Sequence, residues 1–153
     1  MQRRQLVFKG LEEAVTECQA LLDSGYQRGG NWTLAQACRH LRLTQDASID
    51  GYPPWMSLFA PVRPLIRWLL LPRLLRGDSP AGIRTAAIFL PPEDMQDQVE
   101  LSEFTKSVER FQRHTGYLYP HPGFGKLERS QLEEIHAAHA AHHLGFLLPV
   151  PIR

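Results

Sequence analysis

The segment Ile135-His136-Ala137-Ala138-His139-Ala140-Ala141-His142-His143-Leu144 holds four of the chain's seven histidines, separated almost entirely by alanine. Alanine is the strongest helix former, and its small methyl leaves neighbouring imidazoles standing clear of the helix surface. On a helix, His139 and His143 sit about 40° apart in azimuth and about 6 Å apart along the axis. Two imidazole nitrogens at that spacing can close on one metal ion, as in other helix-borne His-x-x-x-His sites. A lone histidine on an apolar face is usually a hydrogen-bonded core or rim residue. Packing alone does not select four such rings, so a metal site is the leading expectation, with surface decoration or a pH-sensitive face as the bland alternative.

Geometry limits which of these rings can share an ion. His136 and His143 lie seven residues apart, ~10.5 Å along a straight helix, too far for two nitrogens each ~2.0–2.1 Å from zinc. The feasible pairs are His136/His139, His139/His142 and His139/His143. His139 belongs to all three and sits at the centre of the apolar sector formed with Leu132, Ile135 and Phe146. Facing does not choose between His142 and His143; the i,i+4 spacing favours His143. A third ligand must come from elsewhere in the chain. His40 is the remaining histidine on a clear helix, and its face carries the small residues Thr33, Ala37, Thr44 and Ala47. It stands about a quarter-turn from the Leu34/Leu41 stripe, so pattern alone does not turn it inward. His114 and His121 fall in the turn region before the last helix and are expected to be solvated, with His121 within possible reach of the site mouth.

Four amphipathic helices must position these groups. Helix A is expected from about Leu11 to Ser24, where Leu11, Ala14, Val15, Cys18, Leu21 and Leu22 make one stripe before Gly25. Helix B follows from about Leu34 to Asp50, opened by Thr33 and Gln36 in a capping-box pattern and closed by Gly51-Tyr52-Pro53-Pro54. Helix C is expected near Asp94 to Arg113, and helix D from about Glu128 to Leu147. Between B and C, a helix through Pro64 to Leu71 or beyond is expected, with Pro72 kinking or ending it. From Gly77 to Pro92 the chain reads as irregular, punctuated by Pro80, Gly82 and Pro91-Pro92. No strand ladder is evident. The pattern predicts a four-helix bundle. Antiparallel neighbours need only about 2–8 connecting residues, so the far longer B-to-C connection predicts a crossover that leaves B and C parallel.

Composition bounds the function. At 153 residues, 43% hydrophobic and 22% charged, the chain reads as one soluble globular domain over 1–153. Its net charge of +1 provides no overall attraction to nucleic acid. Residues 61–85 carry Arg63, Arg67, Arg73, Arg76 and Arg84, while 91–110 are rich in Asp and Glu; mutual neutralisation or solvation is the expected explanation. Cys18 and Cys38 form no C-x-x-C pair and read as buried free thiols in a reducing compartment. No signal-peptide core follows the basic N-terminus, and the greasiest run, Leu65 to Leu75, falls short of the ~20 residues of a membrane span. A cytoplasmic location is expected. Ser130 and Cys38 lack a base-and-orienter arrangement, Gly123-Phe124-Gly125 reads as a turn, and Trp32, Trp55 and Trp68 read as core or rim residues.

Two segments resemble a known superfamily. Gly30-Asn31-Trp32-Thr33-Leu34-Ala35-Gln36-Ala37-Cys38-Arg39-His40-Leu41 resembles the tryptophan-to-histidine stretch on the second helix of the DinB-like (YfiT-like) metalloenzyme superfamily. His121-Pro122-Gly123-Phe124-Gly125-Lys126-Leu127, leading into His136 through Leu144, is similar to an uncharacterised branch of it. The resemblance implies a DinB/YfiT-type bundle whose metal is held by one histidine of the second helix and a His-x-x-x-His pair of the last, here His40, His139 and His143. Leu144-Gly145-Phe146 stands where many relatives carry an Arg-Gly-Gln run. The superfamily includes transferases and isomerases that use low-molecular-weight thiols, and its members often dimerise.

The combined expectation is an all-α four-helix bundle with a long, partly helical crossover between its second and third helices. It holds one divalent ion, zinc or nickel by ligand type, through three neutral imidazoles. Three protein ligands leave a coordination position open. A metal-dependent hydrolase or thiol S-transferase is the corresponding function, with a small-molecule substrate and His136 or His142 as an outer base or orienting group. The competing expectation is a non-enzymatic module in which the ion only stabilises the bundle or reports metal supply.

Overall fold

A computed structural model describes residues 2–78 and 86–150; the expectations that rest on Pro80, Gly82 and Arg84 lie outside the described residues. The elements run α1 (Leu11–Ser24), β1 (Tyr26–Arg28), α2 (Leu34–Asp50), a 3-10 helix (Pro54–Val62), α3 (Arg63–Leu75), a 3-10 turn (Ala87–Phe89), α4 (Asp97–Arg113), α5 (Arg129–Leu144) and β2 (Leu147–Pro149). The chain is mostly helical. Both α1 and α2 have the bounds their patterns predict. Thr33 caps α2 as expected: its Oγ1 accepts from the Gln36 amide at 3.2 Å, while Gln36 Oε1 accepts from the Thr33 amide at 2.9 Å. Gly51 ends the helix at φ +102°, a conformation open to glycine, and a Cβ there would lie 3.3 Å from the Tyr119 ring.

Helices α1, α2, α4 and α5 share one hydrophobic core, with Phe104, Phe111, Leu34, Leu132 and Leu144 among its most deeply buried side chains. The thiols of Cys18 and Cys38 meet inside it, 3.8 Å apart, both free and buried. Polar links set the register between α2 and α4. At one end Asp97 accepts from the Ala35 amide at 2.7 Å and from the Tyr26 hydroxyl at 2.9 Å. Further along, Gln45 Nε2 donates to Ser107 Oγ at 2.9 Å, and Ser107 donates to Asp46 at 2.8 Å. At the far end Arg110 reaches Asp50 at 2.8 Å. Residue numbers rise together along both helices, so α2 and α4 run parallel, as the long connection predicts. Arg129 then ties the start of α5 to the end of α4: its Nη2 donates to the carbonyls of Phe111 at 2.5 Å and Gln112 at 2.9 Å. A cation on these terminal carbonyls answers the negative end of the α4 dipole. Helix α5 therefore starts beside the end of α4 and returns along α2.

Two open alternatives are decided and two expectations need correction. The middle helix runs through Pro72 to Leu75: Pro72 has no N–H for the carbonyl four residues back, but its exposed position leaves that carbonyl to solvent, and Arg76 resumes the ladder by donating to Pro72 O at 3.2 Å. Helix α4 starts at Asp97, three residues later than expected, because Gln96 is extended and the Asp97 carboxylate is engaged with α2. Helix α5 stops at Leu144. The chain then forms β2, which pairs antiparallel with β1 in the register Tyr26↔Pro149, Gln27↔Leu148, Arg28↔Leu147. Three-residue strands are too short to show alternation, so this small sheet left no trace in the pattern. Finally, of the two expected explanations for the charged segments 61–85 and 91–110, mutual neutralisation finds no ion pair among the described residues, which leaves solvation; Glu100 faces Arg39 and Arg42, each at 3.8 Å.

Candidate metal centre

His40 enters the site from α2, and His139 and His143 from one face of α5. Antiparallel packing of these helices brings the three rings together. His40 is 2% exposed, and its Nδ1 lies 2.9 Å from the Phe89 carbonyl oxygen. A carbonyl can only accept, so Nδ1 carries the proton and Nε2 presents a lone pair. That lone pair points at His139 Nε2, 3.2 Å away, and His139 Nε2 is in turn 2.9 Å from His143 Nε2. One nitrogen from each ring lies within 4.8 Å of the other two. Tetrahedral zinc with bonds of ~2.0–2.1 Å holds its nitrogens about 3.3–3.4 Å apart. The His40–His139 and His139–His143 separations fall about 0.1–0.5 Å short of that, and the third lies within 4.8 Å.

Hydrogen bonding alone satisfies this arrangement poorly. Each Nε2 has a single in-plane position, filled by a proton or a lone pair. With His40 Nε2 fixed as an acceptor, one His139 nitrogen cannot form two well-aligned hydrogen bonds, to His40 and to His143. A cation at the shared point satisfies all three lone pairs together. Burial, with the neighbouring imidazoles adding to it, holds His139 and His143 well below the ordinary histidine range. Burial also lowers His40, against the opposing pull of the Phe89 carbonyl. Neutral imidazole is the form that binds metal.

The housing comes from the start of α2. Trp32 stands one residue before the Thr33 cap, with its ring stacked on His143 at 4.9 Å and 15°, and tilted against His40 at 4.9 Å. Gln36, fixed by the capping box, donates to Pro92 O at 3.2 Å and holds the segment that follows the Phe89 turn. Ring positions at the site therefore depend on a helix cap, an indole and one backbone carbonyl.

The other candidate histidines lie elsewhere. His142 turns to the N-terminal segment: its Nδ1 is 3.2 Å from Arg3 Nη1, and burial together with the Arg3 charge pushes it down to about 4. It meets the trio only through a ring-edge contact of 5.0 Å with His143. His136 is 5% exposed, set edge-on to Phe111 at 5.4 Å and lowered to about 3 by burial, and its Nε2 has no hydrogen-bond partner among the described residues. Neither ring bonds to His40, His139 or His143. The orienting contact is the Phe89 carbonyl, which residue types did not reveal because any residue carries one. His121 is not a solvated ring; its Nδ1 accepts from the amides of Gly123 at 3.1 Å and Phe124 at 3.2 Å, closing its own turn. His114 does sit in the exposed region, against Tyr117 O at 3.0 Å. Trp32 lines the site, whereas Trp55 and Trp68 are exposed, neither core nor rim.

Residues 1–150 match the model of a family described as "Protein of unknown function (DUF1569)". The chain belongs to the DUF1569 family. No curated protein and no solved structure matches it. The DUF1569 match takes in both the His40 helix and the His139/His143 helix, so the candidate centre lies wholly within the family domain.

Proposed function

We propose that the protein binds one divalent ion, zinc or nickel, through Nε2 of His40, His139 and His143, and uses the remaining coordination position for a reactant. The carrying observation is the inward convergence of three neutral imidazole nitrogens, one fixed in tautomer by the Phe89 carbonyl. Neutral nitrogen donors suit zinc and nickel better than magnesium or calcium, which prefer oxygen.

The fold is read as a four-helix bundle of DinB/YfiT type. Support comes from the shared core of α1, α2, α4 and α5, the parallel α2/α4 pair, and histidines on the second and last bundle helices. An ion held there supplies a Lewis acid and draws the pKa of a water or thiol toward neutrality. The chain's own residues do the rest. His40 is held ready by Phe89, and Trp32 packs the backs of two rings so that they do not swing outward. The corresponding reaction class is metal-dependent hydrolysis or S-transfer to a small substrate, with low-molecular-weight thiols as the class that the superfamily resemblance suggests. His136, with its unpartnered Nε2, is the nearer of the two outer candidates to a proton-handling role.

Protein purified without a histidine tag, stripped and then titrated with zinc, is expected to bind one equivalent. The His139→Ala variant is expected to lose that binding while the apo protein keeps its melting temperature. An ion whose removal from the wild type collapses the melting temperature would instead favour the purely structural role, since structural metal binding is coupled to folding.

A further inference from the structure

Among the described residues, the 3-10 helix and α3 leave an apolar face uncovered. None of the 13 residues of α3 is buried. Trp55, Leu58, Phe59, Leu65, Trp68 and Leu69 all stand exposed, with Leu58 at 78% and Trp68 at 73%. Large exposed apolar side chains clustered in this way mark an interaction surface. Its charge is mostly positive: residues 51–78 contain four arginines against the single acid Asp78.

Two of those arginines secure the helix to the body. Arg63 Nε donates to Pro122 O at 2.9 Å, and Arg67 Nη1 donates to the carbonyls of Phe124 and Lys126, each at 3.3 Å. The other two, Arg73 and Arg76, lie exposed at the C-terminal end of the face, where Arg76 makes a loose, solvated pair with Asp78 at 3.7 Å. Arg3 donates to Gly77 O at 2.9 Å and adds a third guanidinium to the same end.

We propose that this face docks on an anionic lipid surface. Helix α3 lies along the interface, with Trp55, Leu58, Phe59, Leu65 and Trp68 at the headgroup–acyl boundary and Arg73 and Arg76 on lipid phosphates. Charge complementarity selects this occupant. A second copy applied face to face sets two surfaces with a net excess of arginine against each other, Asp78 being the one acid beside Arg73 and Arg76, whereas lipid phosphates supply the missing anions. Exposed tryptophans with apolar bodies and polar N–H groups suit the same boundary. The helix rests on the membrane and does not cross it: 13 residues rise about 20 Å, against about 30 Å of hydrocarbon, and no described helix is long and apolar enough to span.

The proposal is independent of the metal centre and is tested on the full chain. Co-sedimentation with vesicles of equimolar phosphatidylglycerol and phosphatidylcholine is expected to show binding that vesicles of phosphatidylcholine alone lack and that added salt weakens. The paired Arg73→Gln and Arg76→Gln substitutions, both at exposed positions, are expected to weaken binding on the order of thirtyfold. Leu58→Ser with Trp68→Ser is expected to weaken it further, with an unchanged circular dichroism spectrum. Equal binding to both kinds of vesicle, or to neither, overturns the proposal. So does a solution dimer that Leu58→Ser with Trp68→Ser converts to monomer, since that result assigns the face to a second copy of the chain.

Discussion

His40 carries the most information of any single residue because both ring nitrogens have assigned partners. The Phe89 carbonyl accepts from Nδ1–H and leaves Nε2 bare. Long-range 15N–1H correlation spectra of the apo protein are therefore expected to show His40 as the Nδ1–H tautomer; an Nε2–H signal would remove the lone pair on which the site depends. Trp32 gives a second handle. Its ring lies 4.9 Å from both His40 and His143, so nickel(II) is expected to quench its emission. Trp32→Phe should abolish the quenching and keep the ion, because among the described residues Trp32 alone of the three tryptophans has ring contacts with the site histidines. Quenching that survives this substitution would show that the ion binds elsewhere. At this scale the sequence was partly legible. His139 and His143 were marked by their i,i+4 spacing; His40 was singled out by its helix and small-residue face and assigned by resemblance, since its quarter-turn offset from the Leu34/Leu41 stripe hid its inward aim. The Phe89 carbonyl and the Trp32 stacking were invisible, because each depends on which backbone or ring arrives from another part of the chain.

Among the elements, α2 does the most positioning, and its first turn is where it is most easily loosened. Thr33→Ala removes the Oγ1 acceptor of the capping box, while the backbone amide at position 33 can still donate to Gln36, and is expected to cost about 1 kcal/mol, read as a melting point lower by roughly 2–4 °C for a chain of this size. A weaker zinc isotherm should accompany it, because Trp32 and Gln36 flank that cap. Midway along, Ser107→Ala leaves the buried Gln45 amide without its acceptor and is expected to destabilise by about 1–3 kcal/mol. Urea unfolding that shows no loss in this variant would mean that the Gln45–Ser107–Asp46 chain contributes nothing to the α2/α4 pairing. The helices with clean apolar stripes, α1 and α2, were legible to the residue. Those with ends set by distant partners were less so: α4 starts where Asp97 caps α2, and α5 yields to a strand whose mate lies at Tyr26–Arg28. Helix α3 was foreseen, but its exposed apolar face was not, since hydrophobic spacing shows that a stripe exists and not what covers it.

For the molecule as a whole, buried neutral histidines make stability depend on pH. Burial, aided by nearby charges, pushes His136 to about 3 and His121 and His142 to about 4, from an ordinary value of 6.5. As pH falls below 6.5 the unfolded chain takes up protons that the folded chain refuses, so these rings favour unfolding. Above 6.5 both states are neutral and the contribution is flat. Unfolding midpoints in urea are expected to agree between pH 7 and 8 and to decline between pH 6.5 and about 4, by up to about 1.4 kcal/mol per pH unit for His136 alone. Stability that rises on acidification through this window would contradict the burial of these rings. The core of α1, α2, α4 and α5 is continuous without help from the three site histidines. The molecule can therefore fold first and bind its ion afterwards. The most direct measurement of that claim is a calorimetric zinc titration of tag-free, metal-stripped protein beside its His139→Ala variant, with melting curves for both apo forms. The expected result is one ion per chain in the wild type, affinity lower by more than about 100-fold in the variant, and superimposable apo melts. Equal zinc affinity in the two proteins, or no binding in either, would contradict it.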